Sequence, residues 1–192
     1  MTAPVLPTPR MTVADYLDWT EIQPAGHYEL VEGRVVAMSP ERVRHNLVKG
    51  SVYRALGDAV RAAGLPCTVF TDGIGIAIND TTVREPDASV ECGSTADLDA
   101  KLIEAPVIVV EVASKSSQRD DLQVLLVEYF SVASIRHYLV VLPEQGVVVH
   151  YHKAGEAIAT TIAHDGEVVL DPPGLKVAVA ALLGPAAEQG EK

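Results

Sequence analysis

Two segments of helical periodicity stand among shorter apolar stretches of the chain. The longer segment runs from about Glu41 to Ala63 and is followed by Gly64 and Pro66, which commonly end a helix. Its apolar positions recur at steps of three and four, which predicts one buried face: Val48, Val52, Leu56, Ala59 and Ala63. The second segment starts at Asp120 or Asp121 and runs to about Val132. Each segment is therefore predicted to be a helix packed on a sheet.

The remaining apolar stretches are typical of strands. "GHYELVEGRVVAMSP" predicts two short strands around a Glu32-Gly33 turn, after a short helix that Thr12 and Asp15 begin as a capping box. "CTVFTDGIGIAIND" and "TVREPDASVEC" predict a β-meander, and "IRHYLVVLP", "GVVVHYHKAG" and "EAIATTIAH" predict further strands. "PVIVVEVA" is continuously apolar, as in a strand covered on both faces. The pattern predicts an α/β fold with a mixed central β-sheet flanked by helices, plus an extra N-terminal helix and β-hairpin.

Length and composition are those of a globular protein. The chain has 192 residues, 48% of them hydrophobic, and a mean hydropathy of +0.18. We expect one domain over residues 11–184, with a flexible lead-in at 1–10 and a flexible tail at 185–192. Cys67 and Cys92 are too few for a disulfide framework or a zinc site by themselves, so we expect two buried small side chains. No apolar run is long enough for a membrane span and no signal-peptide pattern is present, which predicts a cytoplasmic protein.

Three carboxylates stand where the pattern expects apolar or neutral residues. Asp87 follows Pro86 at the start of a strand, Glu29 lies inside "YELV", and Glu111 interrupts the most apolar strand. An acid on an edge strand normally faces solvent, but Glu111 lies in a strand unlikely to have a wet face. Acids on neighbouring strands repel each other unless a cation lies between them. The net charge of −11 is unfavourable for nucleic-acid binding but compatible with a divalent cation.

An ordered set of segments resembles one known family. "REPDASVEC", "PVIVVEVASKSS" and "RDDLQVLLVEYFSVASIRHYLVV", with the upstream "MTVADYLDW", "HYELVEGRVVAMSPE" followed by His45, and "GLPC" with "DGIGIAI", are similar to the Uma-two family of restriction-endonuclease-like proteins. That family belongs to the PD-(D/E)XK nuclease superfamily. The resemblance covers roughly residues 11–183 and implies a restriction-endonuclease-like fold with a Mg²⁺- (or Mn²⁺-) dependent phosphodiesterase site.

The resemblance also assigns roles to individual residues. Asp87 and Glu111 match the metal-binding carboxylates, Glu29 the upstream acid, and His45 the histidine early in the first long helix. The family's lysine usually lies in the second helix, midway between an aspartate and a tyrosine that are eight residues apart. Asp121 and Tyr129 keep that frame, but the middle position is Leu125, which extends an apolar stripe with Leu122, Leu126 and Tyr129.

A replacement for that lysine is available nearby in sequence. Lys115 follows Glu111 by four residues, and we assign it to the catalytic set beside Asp87, Glu111 and Glu29, against the ordinary alternative of a solvated surface lysine. Arg42, His45 and Lys49 are candidate nucleic-acid contacts, although a histidine at a helix start with two solvated cations explains them equally well. His150 and His152 share one strand face and suit zinc, but no third ligand is evident, so exposed strand histidines are the preferred interpretation.

The function predicted from the sequence is a Mg²⁺-dependent DNA endonuclease that hydrolyses phosphodiester bonds as a homodimer. Leu125 keeps an alternative open: a catalytically degenerate member that acts as a non-enzymatic dimer binding nucleic acid or protein. The two retained acids favour the first hypothesis, because buried acids without a partner destabilise a fold.

Overall fold

The computed structural model describes residues 10–23, 26–93, 97–113 and 119–184. The predicted tail and Lys115 therefore lie outside the described residues, as does the predicted lead-in except for Arg10. The helices are α1 (Val13–Ile22), α2 (Val43–Ala63), α3 (Arg119–Ser131) and α4 (Val179–Leu183). The strands are β1 (Tyr28–Val31), β2 (Arg34–Ala37), β3 (Cys67–Thr71), β4 (Ile76–Asn79), β5 (Thr82–Arg84), β6 (Ala88–Cys92), β7 (Pro106–Val112), β8 (His137–Leu142), β9 (Val147–Ala154), β10 (Ala157–Ala163), β11 (Glu167–Leu170) and β12 (Leu175–Ala178).

A mixed six-stranded sheet forms the centre of the fold. Its strand order is β10-β9-β8-β7-β6-β3, with β7 and β8 parallel and the other neighbours antiparallel. The parallel connection runs through α3, as a crossover between parallel strands requires. β7 lies in the interior of the sheet, which agrees with its continuously apolar sequence. The predicted mixed α/β architecture is thus confirmed.

The two faces of this sheet bury separate cores. On one face, the apolar stripe of α2 packs against alternate residues of β6, β7 and β8, except for its last member, Ala63, which is exposed. α4 and the β11–β12 hairpin complete the cover. On the other face, Tyr129 of α3 packs with Val109, Tyr138, Ile76 and Ile135. Leu122, Leu125 and Leu126 join that second core as partly buried side chains, so the predicted apolar stripe of α3 is confirmed.

The N-terminal part forms a small accessory layer. α1 begins at Thr12, whose side chain and that of Asp15 cap each other's backbone N–H groups as predicted. Tyr16 of α1 packs with Leu30 and Val83 on a four-stranded sheet of order β2-β1-β5-β4. Glu32 adopts a φ of 49° in the β1–β2 turn, a left-handed conformation that Gly33 shares.

Two expectations about the segment from Cys67 to Cys92 are wrong. The segment from Cys67 to Cys92 does not form one β-meander, because β4 and β5 leave for the accessory sheet while β3 and β6 pair directly in the central one. Alternation of residues predicts a strand but not its partner. The two cysteines are also not separate small side chains: β3–β6 pairing sets Cys67 opposite Cys92, and they form a disulfide.

The described helices include none with the length and apolar character needed to cross a membrane.

The buried face of α2 gives a direct test of this packing. Leu56 is fully buried, whereas Leu47 on the same helix is 55% exposed. We expect Leu56→Ala to lower the free energy of unfolding by about 2–5 kcal/mol, through lost apolar burial and a cavity. Leu47→Ala is the matched control and should cost less than about 0.5 kcal/mol. Urea denaturation measures both, and equal losses would contradict the assigned orientation of α2.

Candidate active site

Strand pairing brings the two principal acids together. β6 and β7 are antiparallel and pair Ala88 with Val110, so Asp87, one residue before Ala88, and Glu111, one residue after Val110, face each other across the strands. The geometry follows from two local features. Pro86 holds Asp87 just before β6, and Glu111 comes one residue before β7 ends. Two carboxylates that the sequence separates by 24 positions thereby share one end of the central sheet.

Asp87 is buried and held by three neighbours. Its Oδ2 accepts a 2.6 Å hydrogen bond from the backbone N–H of Val112 and lies 3.3 Å from Nε2 of His45. Its Oδ1 lies 3.1 Å from Nζ of Lys49. Burial raises the pKa of Asp87. The hydrogen bond from His45, the charge of Lys49 and the Val112 N–H together lower this pKa by more than burial raises it, so the pKa of Asp87 lies below its ordinary value. Asp87 is therefore a carboxylate at neutral pH.

Lys49 is the cation of this site. Its side chain is only 6% exposed, and its ammonium group donates to Asp72 at 2.6 Å and to Glu41 in addition to pairing with Asp87. Burial lowers the pKa of Lys49, but the hydrogen bonds to Asp72 and Glu41 and the charge of Asp87 raise it above its ordinary value. A buried ammonium needs such compensation. Lys49 is thus a permanent charge that links α2 to Asp87 and to the segment after β3.

Glu111 has the opposite electrostatic character. Its Oε1 accepts a 2.7 Å hydrogen bond from the hydroxyl of Tyr129, which is fully buried on α3. Burial and then the charge of Asp87 raise the pKa of Glu111 well above its ordinary value, against the lowering effect of the Tyr129 hydroxyl. The repulsion from Asp87 is the kind that a divalent cation between two carboxylates relieves.

Glu29 is directed to a different partner. One of its oxygens lies 2.9 Å from Nη1 of Arg84, and the other accepts from the backbone N–H of Glu85 at 3.1 Å. Arg84 is shared with Glu128 of α3 at 2.7 Å. The charge of Glu29 still contributes to the raised pKa of Glu111, so it lies in the same electrostatic neighbourhood. The described contacts give Glu29 a structural role in tying β1 and β5 to α3.

A second polar group lies beside Asp72. The ligand atoms of His27, Asp72 and Glu85 lie within 4.8 Å of one another, and His27 Nδ1 is 2.5 Å from Glu85. The hydrogen bond to Glu85 raises the pKa of His27. Glu85 also lines a cleft of about 240 Å³, together with Tyr16 and Tyr28. This cleft lies in the accessory layer, and neither Asp87 nor Glu111 lines it.

The other candidates from the sequence have varied placements. Arg42 is exposed at the N-cap position of α2. Lys115 lies outside the described residues, so its catalytic role stays a prediction. Leu125 is half-buried in the core beneath α3.

The burial of Lys49 differs from the solvated cation that the sequence also allowed. His45 and Lys49 are four residues apart on α2 and share one face of the helix. That spacing is a signal for their common role, because His45 stands three residues before Val48, where the apolar stripe of the helix begins. Asp72 gave no comparable signal, because its approach to Lys49 depends on the tertiary packing of β3 against α2.

The mixed central sheet flanked by helices is the restriction-endonuclease-like fold expected from the sequence, and a comparison with solved structures agrees. A solved structure from Anabaena variabilis, described as "a putative nuclease belonging to DUF820", superposes with a TM-score of 0.70 at 15% identity, over 90% of this chain and 97% of that chain. The likeness shows that the fold is shared.

Sequence comparison identifies the family. The Uma2 (Uma-two) family, described as "Putative restriction endonuclease", matches residues 13–183, and this chain belongs to it. "Uncharacterized protein slr1290" of Synechocystis sp. is 28% identical over 152 residues, covering 79% of this chain and 78% of that protein. The resemblance found in the sequence is confirmed.

Lys49 provides the sharpest test of the site's electrostatics. Lys49→Met should lower the free energy of unfolding by about 3–5 kcal/mol at pH 7, because three carboxylates lose their shared cation. Part of what lowers the pKa of Asp87 in the folded wild type is the charge of Lys49, so the wild type loses that stabilisation as Asp87 is protonated, and the deficit of the variant should shrink as pH falls towards 4. Urea denaturation over this pH range measures both effects.

Lys101→Met is the control for Lys49→Met. Lys101 is 42% exposed and pairs with Glu21 on the surface at 2.5 Å, so its loss should cost less than about 1 kcal/mol at every pH. A loss for Lys49→Met as small as that of Lys101→Met would contradict the described ion-pair cluster.

Proposed function

We propose that the chain is a Mg²⁺- or Mn²⁺-dependent DNA endonuclease that hydrolyses phosphodiester bonds. The observation that carries the proposal is the pair of facing carboxylates, Asp87 and Glu111, of which one is held ionised and the other is disfavoured as an anion by its neighbour. Membership of a family described as restriction endonucleases supports the same reaction class.

The residues present fit a divalent cation. Carboxylate oxygens are the donors that Mg²⁺ and Mn²⁺ prefer, and Asp87 and Glu111 supply them from adjacent strands. A cation held there would lower the pKa of a bound water and stabilise negative charge on the phosphate. It would also offset the repulsion that raises the pKa of Glu111.

The chain's own residues would prepare this site in two ways. His45, Lys49 and the Val112 N–H hold Asp87 as an oriented carboxylate, and Tyr129 fixes Glu111 from the opposite layer. Preorganisation of this kind avoids rearrangement when the charge of the reaction develops. Lys49 is accordingly a positioning residue, and Lys115 remains the proposed catalytic cation.

DNA would approach from the start of α2. Arg42 and Arg44 are exposed there, and the first turn of the helix contains no acidic residue. Positive side chains at this end suit phosphate, and they stand apart from the acidic character of the whole chain. Homodimerisation and a cytoplasmic location remain predictions from the sequence.

One observation favours the alternative of a catalytically degenerate relative. Leu125 packs with Leu122 and Leu126 in the core beneath α3, so no charge is available from the position at which the family usually has lysine. In addition, Lys49 already partly neutralises Asp87. A chain of this kind would keep the fold and bind nucleic acid or protein without turnover.

Nicking of supercoiled plasmid in Mn²⁺ separates these functions. We expect the wild type to nick, and Asp87→Asn to be slower by more than about 100-fold, the scale for loss of one charge-stabilising group. Asp58→Asn is the matched control, because Asp58 is an exposed acid of α2 that pairs only with Arg61 among the described residues. It should retain wild-type activity.

Leu125→Lys is the second variant in the same assay. Activity only in Leu125→Lys would support the degenerate relative, whereas activity in the wild type with loss in Asp87→Asn supports the enzyme. Nicking that Asp87→Asn leaves unchanged would contradict the assigned site. Circular dichroism of each variant checks that it is folded.

A further inference from the structure

Three histidines meet on the central sheet, away from the two acids. His137 of β8 pairs across the strands with His152 of β9, and His150 lies two residues before His152 on the same face. The ring centroid of His137 is 5.1 Å from that of His150 and 6.3 Å from that of His152, and the last two are 4.9 Å apart. This group, here the histidine cluster, corrects the expectation of exposed strand histidines without a third partner.

The histidine cluster and Glu111 lie on opposite faces of the sheet. Residues two positions apart on a strand point to the same face of the sheet. His137 therefore lies on the face of Leu139, in the core covered by α2 and α4. Glu111 lies with Val109, in the core beneath α3. His137 also pairs with Ile108, three residues before Glu111 in β7. The cluster is therefore separate from the candidate active site.

Hydrogen bonds fix the protons of the two buried rings. His137 Nε2 lies 2.8 Å from the carbonyl oxygen of Pro172, and a carbonyl only accepts, so this nitrogen carries a proton. In the neutral ring Nδ1 of His137 is then an acceptor, and it takes a 2.9 Å hydrogen bond from Nε2 of His150. Burial lowers the pKa of both rings, with the charges of His137 and His152 helping to bring that of His150 to about 4. Both imidazoles are thus neutral at pH 7.

The third ring leaves a polar atom without a partner. His152 Nδ1 is buried and finds no hydrogen-bond partner among the described residues. An unpaired buried nitrogen costs free energy, and such atoms in a native fold call for an explanation. A ligand that accepts electron pairs from nitrogen would satisfy this atom and the neighbouring rings together.

We propose that His137, His150 and His152 form a binding site for a transition-metal ion of the Zn²⁺ class. Three imidazoles with one open position is a common zinc ligand set. His137 has the support that metal-binding histidines usually have, since its second nitrogen donates to a backbone carbonyl and fixes the orientation of the ring. Asp171 stands next to Pro172 in the sequence, and its charge acts on His137.

Binding requires small movements of the rings. Two nitrogens on one tetrahedral Zn²⁺ lie about 3.4 Å apart, so His137 and His150 would separate slightly from their present 2.9 Å, and the proton of His150 would move to its other nitrogen. His152 must turn, because among the described residues only His27, Asp72 and Glu85 already bring three ligand atoms within 4.8 Å. His152 is only partly buried, which leaves room for that rotation.

Zn²⁺ titration of the full chain by calorimetry tests the site, with Co²⁺ absorption as the spectroscopic signature of nitrogen coordination. We expect Asp87→Asn, which removes the other candidate metal site, to bind one equivalent of Zn²⁺. Adding His152→Ala to Asp87→Asn should weaken this binding by at least about 10-fold. His164→Ala, which removes an exposed histidine outside the cluster, should leave binding unchanged.

Thermal unfolding distinguishes a loss of Zn²⁺ binding from a failure of the variant to fold. Without metal, the double variant of Asp87→Asn with His152→Ala should unfold cooperatively near the temperature of Asp87→Asn, and Zn²⁺ should raise the unfolding temperature of Asp87→Asn but not of the double variant. The proposal is overturned if Asp87→Asn does not bind Zn²⁺, or if the double variant binds Zn²⁺ as tightly as Asp87→Asn does. None of these outcomes depends on nuclease activity.

Discussion

A buried carboxylate must be compensated, and the compensation of Asp87 organises this end of the fold. The backbone of Val112, His45 and Lys49 all contact it, so a single side chain connects β7 and α2 at the start of β6. Lys49 extends the connection to Asp72 after β3. The free-energy cost of burying these charges is offset only while every partner is present. The position of α2 is therefore fixed by the need to keep His45 and Lys49 in contact with Asp87.

The same cluster makes Asp87 and Glu111 unequal. Asp87 is surrounded by positive charge and N–H donors, whereas Glu111 has the hydroxyl of Tyr129 and the repulsion of Asp87. A divalent cation is the natural complement of such a pair, because it adds the charge that Glu111 lacks without needing a further protein side chain. Leu125 fills the core beneath α3. The positive charge near Asp87 comes instead from Lys49 of α2.

Much of the fold could be predicted from local patterns. The stripe of α2, the capping box at Thr12 and the apolar strand β7 each report on burial within their own segment. Pairings between distant segments could not be predicted from such patterns. The departure of β4 and β5 to the accessory sheet, the Cys67–Cys92 bond and the meeting of His137 with His150 all depend on strand partners that residue alternation does not specify. The acids were found because they violated a local pattern, whereas Lys49 violated none strongly.

The central claim is that Asp87 and Glu111 together hold a divalent cation. The most direct measurement is a calorimetric titration of Mn²⁺ into the wild type and into Asp87→Asn, both checked for folding and both carrying His152→Ala so that the histidine cluster does not contribute. The account predicts that Mn²⁺ binds with one equivalent when Asp87 is present and that binding is lost in Asp87→Asn. Equal binding in the two proteins, or binding in neither, would contradict it.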